Sequence, residues 1–157
     1  MFRVMFVCTG NICRSPLAHA VFSQKARKAG LGNRFVIESS GTTAYHEGDQ
    51  ADPRMRKTAR AHNVRIDHRA RHFSVHDFEN YDLILAMDRS NLASLRRMAS
   101  DGEADGKLKL FRDFDPEASP NAEVPDPYYG GPDGFEHVYE MVDRTCDSLL
   151  AELTSKQ

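Results

Sequence analysis

Cys8 and Arg14 are two side chains of complementary chemistry, with five residues between them in the polar segment 8–15. The apolar residues 2–7 predict a buried strand before this segment, and Pro16 suits the first turn of a helix after it. A loop between a strand and a helix N-terminus directs several backbone N–H groups to one point, which predicts an anion site. That environment favours a cysteine thiolate, and an arginine fork matches two oxygens of a phosphate-like group. The spacing therefore predicts phosphoryl transfer through a cysteinyl-phosphate.

An ordinary structural role for both residues is the alternative. Cysteines at the ends of buried strands are commonly inert core residues, and an arginine six positions later could simply lie on the surface. The combination of a strand, a polar loop, an Arg-Ser pair and a helix begun by proline favours the functional interpretation.

Residues 8–16, CTGNICRSP, resemble the signature of the low-molecular-weight protein tyrosine phosphatases, at the N-terminal position typical of that family. Thr9 departs from it, since leucine is more usual there, and this affects the pocket lining more than the chemistry. Four further family motifs follow in order over nearly the whole chain: SSGT at 39–42, DHRAR at 67–71, MDRSNL at 87–92 and DPYYGG at 126–131. The resemblance implies a metal-independent, cofactor-free hydrolase of phosphotyrosine and aryl phosphate monoesters. It also implies that Cys8 is the nucleophile and Arg14 the transition-state clamp.

A proton donor is needed for the leaving group, and three Asp-Pro pairs compete for this role, at Asp52, Asp115 and Asp126. Asp-Pro alone is only a turn signal. The Tyr-Tyr-Gly-Gly sequence that follows favours Asp126, because aromatic side chains can wall a slot beside a flexible glycine pair. In the family that the chain resembles, this aspartate is the general acid and then the base for the hydrolytic water. Asp115 remains the alternative that geometry must decide.

The phosphate and the aromatic group of the substrate are expected to contact two sets of residues. The predicted phosphate-binding loop comprises Thr9, Gly10, Asn11, Ile12, Cys13, Arg14 and Ser15. The predicted slot for a phosphotyrosyl ring is lined by Ile12, Tyr45, Tyr128 and Tyr129. Plain loop packing is the alternative for one of the last two tyrosines.

Asn11, Ser15, Ser39 and His68 resemble the family's supporting network around the nucleophile. The Ser15 hydroxyl can donate to the Cys8 sulfur, and asparagine tolerates the left-handed backbone that a tight anion loop requires. The resemblance implies that Ser39 and His68 hold Asn11 in place. For His68 an ordinary surface role is the competing interpretation, because the chain has seven histidines.

We expect different roles for the other two cysteines. Cys13 is either a small residue packed under the helix start or the partner of Cys8 in a reversible disulfide that protects the nucleophile from over-oxidation. Cys146 falls on the apolar stripe of the last helix and is predicted to be core.

The elements that position these residues alternate between strand and helix along the whole chain. Strands are predicted at 2–8, 35–39, 81–87 and 107–111, the last nearer an edge, and helices at 16–29, 53–63, after Asp88 and at 135–153. This alternation predicts a three-layer, doubly wound α/β sheet of about four parallel strands with helices on both faces, forming one phosphatase domain over residues 1–157. Ligands bind beyond the strand C-termini in such folds, where the Cys8 loop lies. The irregular stretch 112–134 is long enough to be functional.

Composition limits the partners. A net charge of −2 gives no electrostatic case for nucleic acid or an anionic membrane, and we interpret the basic clusters at 54–60 and 68–72 as solvated faces. Neither a signal-peptide core nor a membrane span is expected. The three cysteines make no disulfide framework, and a reactive thiolate needs reducing surroundings, so a cytoplasmic location is expected. The expected partners are tyrosine-phosphorylated proteins and inorganic phosphate or a similar oxyanion.

Three rival functions are disfavoured. Thioredoxin-linked arsenate reductases share the Cys-x5-Arg loop but use two further cysteines after a mid-chain strand, and residues 83–95 contain none. A non-catalytic phosphate-binding module would not need the nucleophile, arginine and candidate acid that are all present. A metal-dependent phosphatase is disfavoured because no His/Asp cluster shows ligand spacing.

Overall fold

A four-stranded parallel sheet forms the centre of the computed structural model, which describes residues 1–131 and 133–155. Pro132 and the last two residues of the predicted domain 1–157 therefore lie outside the described residues. The strands are β1 Phe2–Cys8, β2 Phe35–Gly41, β3 Leu83–Ala86 and β4 Leu108–Leu110. Their order is β2-β1-β3-β4, with β1 paired in parallel to β2 and β3 and with β4 at an edge.

Helices cover both faces of the sheet, as predicted. They are α1 Arg14–Lys28, α2 Pro53–Ala61, α3 Asp77–Asn80, α4 Arg89–Met98 and α5 Gly134–Ser155. Buried side chains of α1, α2 and α5 pack with one face of the sheet, while those of α3 and α4 pack with the other face in a separate core. The three-layer, doubly wound α/β arrangement is confirmed. No helix in the described residues has the length and apolarity needed to cross a membrane.

Element boundaries differ from the sequence prediction at the ends. The first helix begins at Arg14, before Pro16, because the Leu17 N–H already donates to the Cys13 carbonyl at 3.2 Å. Helix α2 ends earlier than predicted, because Asn63 adopts a left-handed conformation with φ of 63°. The predicted irregular stretch 112–134 contains the end of one short 3-10 turn, Phe111–Phe114, and a second turn, Pro127–Tyr129.

The topology creates a crevice at the carboxyl end of β1. Strand β2 lies on one side of β1 and β3 on the other, so the chain reverses its winding direction next to Cys8. Such a switch point leaves space beyond the strand ends for a ligand. The loop that leaves β1 therefore begins at the binding position of the fold.

Candidate active site

The loop between β1 and α1 closes tightly around an open centre. Asn11 has a φ of 57°, which confirms the predicted left-handed conformation. The backbone N–H groups of residues 10–13 donate to no other group in the described part of the chain, so they are available to an anion. Gly41 permits the close approach of this loop, since a Cβ there would lie 2.6 Å from the Thr9 carbonyl oxygen.

Cys8 lies at the base of this loop with its sulfur next to a hydroxyl. The sulfur is 2.9 Å from Ser15 Oγ, and Cys8 is only 2 % exposed. Ser15 Oγ accepts a hydrogen bond from Asn11 Nδ2 at 2.8 Å, so its own proton can be donated either to the sulfur or to the more distant Ser40 carbonyl oxygen at 3.4 Å. A donated hydrogen bond stabilises a thiolate, both at rest and as a leaving group.

Asn11 is fully buried and links the loop to three other elements. Its Oδ1 accepts hydrogen bonds from His68 Nε2 at 2.8 Å and from the backbone N–H of Arg71 at 2.9 Å. Its Nδ2 donates to Ser39 Oγ at 3.1 Å as well as to Ser15. The structure therefore brings together all four residues of the predicted supporting network.

His19 extends this network, although the sequence analysis did not assign it a role. Ser39 Oγ lies 3.3 Å from His19 Nδ1 and can donate to it, because the serine oxygen already accepts from Asn11. Burial lowers the pKa of His19 to about 4; burial and the neighbouring His19 lower that of His68 to about 4. Both rings are therefore neutral at pH 7. The only signal for His19 was its spacing of four residues from Ser15, which places both on one face of α1.

Arg14 is held in position by the aspartate that precedes α4. Its Nη1 donates to Asp88 Oδ2 at 2.8 Å and to the Val124 carbonyl at 3.0 Å, and the residue is 4 % exposed. Burial opposes the charged form, but the charge of Cys8 and the hydrogen bond to Asp88 together raise the pKa of Arg14. The guanidinium is thus a fixed cation beside Cys8.

Two residues beside Arg14 complete this wall of the site. Asp88 also caps α4, because its Oδ1 accepts from the Asn91 N–H at 2.7 Å. Asn91 Nδ2 donates to Thr9 Oγ1 at 3.0 Å, and Arg14 Nη2 lies 3.5 Å from the same oxygen. The threonine that departs from the family signature is therefore integrated into the polar contacts of the loop. In the sequence, Asp88 stood in the family motif at 87–92 and just before a predicted helix, and neither feature indicated its contact with Arg14.

The three Asp-Pro candidates occupy different environments. Asp126 lines the same cavity as Cys8 and Arg14, and its Oδ1 accepts from the Tyr128 N–H at 3.0 Å. Asp115 is buried elsewhere; burial opposes the charged form, but hydrogen bonds from Arg144, the Glu117 backbone and Arg112 lower its pKa. Of these two, only Asp126 can meet a substrate above the loop.

Asp52 is the third candidate and also has a structural role. It caps α2 by accepting from the Arg54 N–H at 2.8 Å and forms an ion pair with the same arginine at 2.9 Å. Burial opposes its charged form, yet the contacts with Arg54 lower its pKa. Asp52 does not line the cavity that contains Cys8.

The cavity above the loop has a volume of about 370 Å³. Three of the four residues predicted for the aromatic slot line it, namely Ile12, Tyr45 and Tyr128. Tyr129 does not line it and is 90 % exposed, because successive side chains of a 3-10 turn point in different directions. Thr43 and His46 line the cavity but had no signal in the sequence.

The remaining cysteines are buried and free. Burial and the negative charge of Cys8 raise the pKa of Cys13, so its thiol stays protonated beside Cys8. Cys146 is 0 % exposed within the core, as predicted. No cluster of three or more histidine, cysteine, aspartate or glutamate side chains in the described residues is arranged to hold a metal ion.

Comparisons with known proteins agree with this arrangement. Residues 3–157 match the family model described as low molecular weight phosphotyrosine protein phosphatase. A low molecular weight protein-tyrosine-phosphatase of Streptomyces coelicolor is 47 % identical over 151 residues, covering 96 % of this chain and 92 % of the relative.

Solved structures share the whole fold. A protein tyrosine phosphatase from Entamoeba histolytica, crystallised with Hepes in its active site, superposes with a TM-score of 0.93 at 37 % identity, covering 99 % of each chain. An arginine phosphatase of Drosophila superposes with a TM-score of 0.89 at 29 % identity, covering 98 % of this chain and 99 % of that one.

Proposed function

This chain belongs to the low molecular weight phosphotyrosine protein phosphatases, and from that premise we propose how its own residues hydrolyse phosphotyrosine. Cys8 is the nucleophile, Arg14 the transition-state clamp and Asp126 the general acid. The substrates are tyrosine-phosphorylated proteins and aryl phosphate monoesters, and residues 1–157 act as one phosphatase domain. One observation carries the proposal: a single cavity is lined by Cys8, Arg14 and Asp126. At its base the Cys8 sulfur contacts the Ser15 hydroxyl.

The first step transfers the phosphoryl group to the enzyme. The Cys8 thiolate attacks phosphorus while the bond between phosphorus and the phenolic oxygen breaks. The protonated carboxyl group of Asp126 gives its proton to that oxygen, so tyrosine leaves neutral. Arg14 binds two of the three phosphoryl oxygens with its fork, and the free N–H groups of the loop donate to the phosphoryl oxygens as well. The product is a cysteinyl-phosphate on Cys8.

The second step releases inorganic phosphate. The Asp126 carboxylate takes a proton from water, and the water oxygen attacks phosphorus as the sulfur–phosphorus bond breaks. Cys8 leaves as a thiolate that the Ser15 hydroxyl stabilises. Asp126 is protonated again and the enzyme is ready for another turnover. Each step uses only side chains and backbone N–H groups of this chain together with water, so the proposal predicts activity that EDTA does not reduce.

The shape of the site supports an aryl substrate. A phosphotyrosyl ring would lie between the side chains of Ile12, Tyr45 and Tyr128, whereas the short side chain of phosphoserine would leave this surface uncovered. A phosphoarginine peptide is the informative comparison substrate, since a structural neighbour is an arginine phosphatase. We propose a reducing compartment such as the cytoplasm, because the nucleophile and two other cysteines are free thiols.

Steady-state assays in the presence of EDTA test this function. Wild-type protein should hydrolyse phosphotyrosine and phenyl phosphate faster than phosphoserine or phosphoarginine peptides. Cys8→Ser should lose essentially all turnover while it still binds vanadate or phosphate, and Cys146→Ala is the control for loss of a thiol elsewhere. Substantial activity of Cys8→Ser would refute the nucleophile, and a preference for phosphoarginine would refute the substrate class.

A further inference from the structure

A second cavity, of about 560 Å³, lies between α2 and the extended segment that follows it. Its lining includes four arginines, Arg56, Arg60, Arg65 and Arg69, and we call this cavity the arginine groove. It shares no lining residue with the cavity above Cys8. From the sequence we interpreted the basic clusters at 54–60 and 68–72 as solvated faces. In the structure, arginines of both clusters line this concave surface.

The arginines of the groove have almost no carboxylate partners. Asp67 is the one acidic residue of the lining; it lies 4.0 Å from Arg65, and both side chains are almost fully exposed. Arg56 and Arg69 donate only to backbone carbonyls, and Arg60 has no side-chain hydrogen bond or ion pair in the described residues. Four guanidinium groups therefore face one carboxylate in a chain whose net charge is −2.

Arginines elsewhere in the chain are of two kinds, because Arg96 and Arg97 on α4 form no ion pair in the described residues, whereas four others are paired with aspartates. Arg14, Arg54, Arg71 and Arg144 each form an ion pair of 3.0 Å or shorter with an aspartate. In the groove, by contrast, Arg56 and Arg60 are four residues apart on α2, a spacing at which like charges repel. The fold gains nothing from that repulsion, whereas a bound anion would compensate it.

The groove adjoins the active site through one loop. Tyr45 and His46 line the cavity above Cys8, and Gln50 and Ala51 line the arginine groove. Four residues of extended chain span at most about 14 Å, which limits the separation between His46 and Gln50. A bound peptide that extends from the active-site cavity along this loop reaches the groove within a few residues.

We propose that the arginine groove binds an acidic segment of the phosphoprotein substrate, about four to six residues from the phosphotyrosine, since an extended peptide advances roughly 3.3 Å per residue. This inference rests on the proposed function and adds a second recognition site to it. Guanidinium groups bind carboxylates through paired hydrogen bonds, and clustered positive charge accelerates the encounter with an acidic partner. Acidic side chains of the substrate would supply the partners that the fold does not.

Peptide kinetics with a matched pair of variants test the proposal. The substrates are phosphotyrosine peptides with a short Glu tract or a short Gln tract about five residues away, placed on either side. The groove variant carries Arg56→Gln, Arg60→Gln and Arg65→Gln. The control variant carries Arg96→Gln, Arg97→Gln and Lys109→Gln, which make the same change in net charge on α4 and β4, away from the groove.

In wild type we expect kcat/KM for the better Glu peptide to exceed that for its Gln counterpart on the order of tenfold at low salt, mainly through KM. The ratio should approach one in the groove variant and in high salt, and stay high in the control variant. All three proteins should hydrolyse phenyl phosphate equally.

A wild-type ratio of one, or an equal loss in both variants, would overturn the docking site. An equal loss for both peptides in the groove variant would also overturn it, because the groove would then act on catalysis. Failure of the proposed function is distinct, since wild type would then hydrolyse none of these substrates.

Discussion

The partly buried pair His19 and His68 should make the stability of this protein fall in mild acid. Each histidine has a folded-state pKa of about 4, well below the ordinary value of 6.5. Between those values the unfolded chain binds more protons than the folded protein, so stability rises with pH. The contribution is fully present above about pH 6.5 and is lost as the pH falls toward 4.

The magnitude follows from the size of the shifts and the exposure of the rings. A fall of about 2.5 pKa units corresponds to at most about 3 kcal/mol for each histidine. Both rings are partly exposed to solvent, so we halve this value for solvent screening and expect about 3 kcal/mol for the pair. Part of the loss arises because protonated His19 Nδ1 can no longer accept from Ser39.

Urea unfolding between pH 7.5 and 4.5 measures this loss directly. Wild type should lose about 3 kcal/mol of unfolding free energy over this range, beyond the loss in a His19→Gln/His68→Gln variant. The carboxylates common to both proteins cancel in that comparison, and the exposed His137→Gln should behave as wild type. Equal pH dependence of wild type and the double variant would refute the argument that these two rings are held neutral.

Three substitutions around Cys8 give further predictions. Asp126→Ala should slow hydrolysis of phenyl phosphate more than that of an activated nitrophenyl ester, because only a poor leaving group needs the proton. If Asp115→Asn shows this pattern and Asp126→Ala does not, Asp115 is the general acid. Arg14→Lys should lower kcat by at least about 100-fold, since a point charge cannot reproduce a bidentate fork; near-normal kcat would contradict the clamp. Asp88→Asn keeps an oxygen for the Asn91 N–H but loses the charge beside Arg14, so kcat should fall about 10- to 100-fold while thermal unfolding changes little. Loss of stability with unchanged kcat would make Asp88 purely structural.

The local part of the site could be predicted from the sequence because it depends on neighbours along the chain. The strand, the polar loop and the helix start are contiguous, and the left-handed Asn11 follows from the loop being too tight for ordinary backbone. The alternation of strands and helices predicted the parallel sheet for the same reason. The positions of the helix ends were predicted less accurately, since the end of α2 depends on the backbone conformation of a single residue, Asn63.

The rest depends on contacts between distant residues, which a single sequence does not contain. Asp115 and Asp126 have the same Asp-Pro signal, and the Tyr-Tyr-Gly-Gly context only favoured Asp126. The structure separates the two, because Asp115 is paired with Arg144 on α5 while Asp126 lines the cavity above Cys8. Asp88 has a complete local explanation as a helix cap, and its contact with Arg14 exists because β3 lies beside β1. The arginine groove was invisible for the same reason, because a run of basic residues does not indicate which of them have partners.

The covalent intermediate on Cys8 is the central claim, and mass spectrometry of rapidly quenched enzyme tests it most directly. Asp126→Ala supplied with a nitrophenyl phosphate should accumulate phosphate on the enzyme, because the activated leaving group departs without an acid while water attack lacks its base. Our account predicts that the added phosphate lies on Cys8 and is absent from a Cys8→Ser/Asp126→Ala variant. Turnover without a covalent phosphoenzyme, or phosphate on any other residue, would contradict the account.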